Sequence, residues 1–178
     1  MIRFLSLLNP FARIADEARA ETLARGSAVA LVLGALVSAW GAIKIVLWPD
    51  EIRRLMTEGM AAQPHPDPEA ARMAEAMIPG LMNTSAILGL LICISLLTLA
   101  FVQWRRLTRL IPAIFAALGL IGLVMMFASQ AMVASGLAPD VPQPAAELLV
   151  NRVLNVIGLL LHIGGYRGAR WLAQARTA

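Results

Sequence analysis

Four apolar stretches of membrane-spanning length leave this chain little choice of fold. A helix that crosses a bilayer needs ~20 apolar residues, because ~1.5 Å of rise per residue has to cover ~30 Å of hydrocarbon. Residues 28–47 meet that length with Lys44 as their only charge, and residues 83–103 and 110–133 meet it with none. The fourth stretch is less uniform. Its charge-free run, 153–166, is too short to span alone, and extending it back to Ala146 draws in Glu147, Asn151 and Arg152. Continuous apolar runs do not alternate as barrel strands do, and in lipid every backbone polar group has to be satisfied internally, so all four are read as helices. The predicted fold class is an all-α integral membrane protein, with four transmembrane helices in one bundle.

The charges between the spans are sorted by sign, which gives the chain a direction. Arg3, Arg13, Arg19 and Arg25 precede the first span, Arg105, Arg106 and Arg109 join the second to the third, and Arg167, Arg170 and Arg176 follow the fourth. Those regions hold only Asp16, Glu17 and Glu21 as acids, and the other two connections reverse the balance, with Asp50, Glu51, Glu58, Asp67, Glu69 and Glu75 in one and Asp140 and Glu147 at the other, against Arg53, Arg54 and Arg72. Arginine-rich short segments stay in the cytoplasm, so both termini are expected there, as in a multi-pass protein of a bacterial inner membrane. The domain plan is then a cytoplasmic amphipathic segment, 1–26, a transmembrane domain, 27–166, with an outer loop at 49–82, and a basic cytoplasmic tail, 167–178. The net charge of +4 comes from this asymmetry and from sparse acids, and is not read as a nucleic-acid surface.

The aromatic residues fit the same frame. Trp40, Lys44 and Trp48 recur every fourth residue at the outer end of the first span, where indoles favour the headgroup layer and lysine snorkels into it. Trp104 and Trp171 are expected at the opposite interface. Ahead of the first span, residues 2–8 are too short for a leader core and no small-residue cleavage site follows them. Asn9 and Pro10 read as the cap and first position of an in-plane helix, with Phe11, Ile14, Ala15 and Ala18 on one side, ending near Gly26.

In the outer loop, Ile52, Leu55, Met56, Gly59 and Met60 follow a helical period, as do Ala70, Met73, Ala74, Met77, Ile78 and Leu81 approximately. The Pro-rich stretch 63–68 separates them, with Asp67 placed to cap a helix beginning at Pro68. A short amphipathic helical hairpin is predicted, too small to form a domain of its own. Met56, Met60, Met73, Met77 and His65 are ligand types for Cu(I), yet each methionine sits where the period demands an apolar residue. They are read as packing, and no metal or other cofactor is assigned.

Inside the membrane, small residues mark faces for close packing. The first span has Ala30, Gly34, Ser38 and Ala42 every fourth residue, the second Ser85, Gly89 and Cys93, and the third Gly119 and Gly122. The link 104–109 is short enough to predict an antiparallel hairpin of the second and third spans. The fourth span carries the unusual pattern. At 100° per residue, Glu147, Asn151, Asn155, Gly158, His162 and Gly165 fall within roughly 40° of one line, and Arg152 lies about a quarter turn away, within reach of Asn155 or another helix. Polar groups in hydrocarbon are costly and normally face a partner helix or a wet cavity. Asn151, Arg152, Asn155 and His162 are therefore the candidate contacts for a ligand or partner.

Several chemistries lack their groups. Cys93 is the only cysteine, which excludes a thiol relay and a cysteine-based zinc site. His65 and His162 fall on opposite sides of the predicted membrane, and no span carries a central acid for proton coupling. There is no phosphate-binding glycine loop and no serine elbow with matching acid and histidine. No catalytic residue is assigned. The leading expectation is a small non-catalytic accessory or interaction protein, in contact with membrane lipid, that docks on a larger membrane assembly or on copies of itself. The alternatives are a homo-oligomeric channel or small-solute transporter using the polar face of the fourth span, and a lipid- or quinone-handling enzyme. The enzyme reading places its two reactive groups, Arg152 and His162, ten residues and ~15 Å of helix apart.

Overall fold

The computed structural model describes residues 9–11, 13–61, 68–135 and 145–177. Among them lie five helices and no strand: α1 (Glu17–Leu47), α2 (Pro49–Ala61), α3 (Pro68–Arg106), α4 (Leu110–Ala134) and α5 (Ala145–Ala175). All but α2 are long and apolar enough to cross a membrane, consistent with a multi-pass α-helical membrane protein.

Helix α1 begins later and runs further than the expected interfacial helix. Asp16, in extended backbone, accepts the amide N–H of Arg19 at 2.7 Å, and Glu17 follows in the first turn, where the helix dipole favours an acid. Asn9 instead closes a local turn, its Oδ1 accepting from the Phe11 amide at 3.1 Å. Pro10 is buried, and its carbonyl accepts from the Arg167 guanidinium. No break occurs at Gly26. That glycine is buried, with Leu161 at 3.5 Å from where a Cβ would sit, so it serves packing within a continuous helix.

The outer hairpin is also revised. Helix α2 forms as expected, with Pro49 first and Asp50 and Glu51 in its first turn, directly after Trp48 caps α1. Its expected partner is not a separate helix. It is the start of α3, which continues through Pro79 into the second span, with Pro79 on an exposed face where its ring displaces no neighbour. Asp67, proposed as the cap, lies outside the described residues, as does His65. At the other end of the chain α5 carries through Arg167 and Arg170 to Ala175, so most of the basic segment 167–178 is helical.

Helix α1 is central, packed along α3 on one flank and α5 on the other, and α4 packs on α5. The expected hairpin of the second and third spans does not form a packed pair, although only residues 107–109 join α3 to α4. Small residues draw the two helices to different partners. A Cβ at Gly89 of α3 would lie 3.2 Å from the Ser38 carbonyl oxygen and 3.3 Å from the Ala42 Cβ on α1, whereas Gly119 of α4 faces Leu159 of α5 at 3.4 Å. Leu107, at φ 48°, turns the link, and its N–H donates to the Gln103 carbonyl at 3.0 Å. The four long helices thus pack as a row, α3–α1–α5–α4, open along most of its length, with the start of α4 reaching the Ala28–Leu31–Ala100 cluster of α1 and α3 through Ile111 and Phe115.

Candidate functional site

Among the described glycines, the closest helix approach lies between α1 and the C-terminal half of α5. A Cβ at Gly165 would stand 2.6 Å from the Ser27 Cβ, and one at Gly168 would stand 2.8 Å from the Ala24 backbone nitrogen and collide with the Ala20 carbonyl. Two glycines one turn apart therefore let the α5 backbone rest on Ala20, Ala24 and Ser27, and Ala169 and Leu172 complete a buried cluster there. Away from this seam the helices separate. Between α1, α4 and α5, with Leu96 of α3 at its edge, opens a cleft of about 390 Å³.

The polar face of the fourth span lines that cleft. Asn151, Asn155, Gly158 and His162 lie along one wall, Ala30, Gly34 and Ser38 of α1 along another, and Phe115 and Gly119 of α4 along a third. His162, at the closed end, is 7 % exposed. Its Nδ1 shares a hydrogen bond of 2.7 Å with the Ser27 hydroxyl, and its ring stacks on Phe115 with centroids 5.4 Å apart and planes 25° from parallel. Nε2 has no partner among the described residues. Asn151 and Asn155 are exposed on the cleft side, and their carboxamides likewise have no partner among the described residues. A Cβ at Gly158 would meet nothing within 4 Å.

Arg152 stands apart from this group. It does not line the cleft, makes no hydrogen bond with Asn155, and is half-buried with its Nε unpaired among the described residues. The side chain of Glu147 lies outside the described residues. Of the packing residues, Gly34, Ser38, Gly89 and Gly119 contact neighbouring helices, whereas Ser85 is exposed and Gly122 has open space beside it. Trp40 and Trp48 meet edge to face at 6.0 Å, on the face that Lys44 shares with them. Trp104 lies under the Arg25 guanidinium, 5.6 Å from its ring centroid, and Arg25 also pairs with Glu21 at 3.2 Å. Trp171 is partly covered by the α1–α5 seam. Met73 and Met77 project outward from α3.

Three residues that matter here escaped the sequence reading. Ser27 sits one position before the predicted first span, 28–47, and Gly168 three beyond the predicted fourth, about 146–165, so the sequence marks neither as intramembrane packing. Gln103 closed the second span without a role. It is fully buried, donates through Nε2 to the Ala24 carbonyl at 3.2 Å, and accepts from the Thr108 hydroxyl at 2.9 Å, which pins the link to α1. A polar side chain at the end of an apolar run is a signal that could have marked it.

Fold and site together define a helical protein of membrane-spanning character with a polar-edged cleft beside its central helix. Comparisons with known protein families, with curated proteins and with solved structures give no match.

Proposed function

We propose that this is a small non-catalytic membrane protein of accessory or interaction type, which docks on a larger assembly in a bacterial inner membrane with both termini cytoplasmic. The observation that carries the reading is the open row. Helix α4 packs along α5, meets the α1–α3 cluster near its own start through Ile111 and Phe115, and leaves the flat patch at Gly122 with nothing against it. Helices in lipid associate through close packing at small residues, so an uncovered glycine in the middle of a span is where a partner helix fits. The arginine bias of the termini and of the 104–109 link supports the orientation.

The channel reading receives less support, because Asn155, Gly158 and His162 face α1 and α4 of their own chain rather than a copy. The enzyme reading built on Arg152 and His162 is weakened by Arg152 lying off the cleft. Extraction of the tagged chain in a mild detergent, followed by mass and composition of the intact complex, tests the proposal. A stoichiometric partner that is lost from Gly122→Leu, with unchanged thermal stability of the chain itself, is the expected result. A chain that runs as a lone monomer with lipid alone contradicts it.

A further inference from the structure

The cleft has the chemistry of a ligand slot rather than of a packing defect. Its volume, about 390 Å³, lies in the range of small-molecule sites, roughly 300–1,000 Å³. Among the described residues no Lys, Arg, Asp or Glu lines it, so an ionised headgroup would meet no counter-charge from them beside apolar walls. Polar atoms are nevertheless waiting. Asn155 and the Nε2 of His162 have no partner among the described residues, and in hydrocarbon such groups are costly unless something meets them.

Their spacing says what would fit. Asn155 and His162 are seven residues apart on one helix face, about 10 Å of rise, with the bare Gly158 between them. Two hydrogen bonds of about 2.9 Å, one at each end, leave about 5 Å, the width of a six-membered ring carrying opposed oxygen atoms. The walls suit a flat ring as well. Gly158 and Gly34 put no bulk into the slot, and Phe115, already stacked on His162, continues an aromatic surface at its closed end. An apolar tail can leave past Leu118, a half-exposed residue on the rim, through the gap that the diverging α3 and α4 leave open towards lipid.

We propose that this cleft binds a quinone-type lipid, its ring oxygens held between Asn155 and His162 over Gly158. Ser27 makes the site indifferent to the ligand's redox form. When the Ser27 hydroxyl donates to Nδ1, the proton of His162 is on Nε2 and donates to a quinone carbonyl. When Nδ1–H donates to Ser27, Nε2 accepts from a quinol hydroxyl. The Asn155 carboxamide serves either form, donating through its nitrogen or accepting through its oxygen.

The test is calorimetric titration of the full chain, purified in mild detergent, with a short prenylated benzoquinone and separately with its quinol. Saturable one-to-one binding of both is expected, weakened about tenfold by Asn155→Leu, which removes one hydrogen bond at an exposed position. Gly158→Leu, which fills the slot from a position with open space around it, should abolish binding without lowering the melting temperature of the chain. Absence of saturable binding overturns the proposal. So does unaltered binding in both variants, or displacement of the benzoquinone by a diacylglycerol or anionic phospholipid at equal concentration.

Discussion

A hydroxyl and an imidazole buried among apolar helices each supply what water would otherwise supply to the other. Ser27 and His162 are 135 positions apart, and their 2.7 Å contact ties the start of α1 to α5 where both are buried. Ser27→Ala adds no bulk at the seam and deletes the partner, which should cost about 1–3 kcal/mol, read as a lower unfolding midpoint in detergent. Unchanged stability would mean that the imidazole has another partner. The glycines divide in a similar way. Gly168→Ala drives a methyl group into the Ala20 carbonyl and should cost about 1–3 kcal/mol, whereas Gly158→Ala adds one to open space and should gain about 0.5–1 kcal/mol from helix propensity. Equal effects at the two positions would contradict the seam. At this scale the polar line of Asn151, Asn155 and His162 was legible, because a period of 100° per residue is local information. Ser27 was not, since its role depends on a helix at the far end of the chain.

At the scale of elements, apolar length marked the four long helices well, and caps marked their ends poorly. Asn9 and Asp16 are both competent caps by residue type, and only Asp16 is followed by a helix that has α5 to lie against. Pro79 is the instructive case. A proline inside a helix removes one backbone hydrogen bond and crowds the preceding turn, yet α3 runs through it, with Ile78 and Met82 buried on either side and α1 and α2 packed along the helix. Pro79→Ala restores the missing N–H and should raise stability, by up to ~3 kcal/mol, measured as a shift in the unfolding midpoint. A fall in stability would assign the ring a packing role. The hairpin expected from the short link failed for a reason no link length reveals: Gly89 offers α3 a better seat on α1, and Gly119 offers α4 one on α5.

For the whole molecule, the open row links the packing to both proposals, because the divergence of α3 and α4 leaves the cleft a lateral mouth and α4 an uncovered flank. Everything else depends on how the row sits in the bilayer. With both termini cytoplasmic, α2 lies outside, the Ser27–His162 end of the cleft points inward and its Asn151 end points outward. Single cysteines in a Cys93→Ala background, placed at Glu58 on α2 and at Thr177 after α5, test this directly with a membrane-impermeant maleimide on spheroplasts. The account predicts that Glu58→Cys labels on intact spheroplasts and Thr177→Cys only after permeabilisation. Labelling of both from the same side would contradict a four-span arrangement.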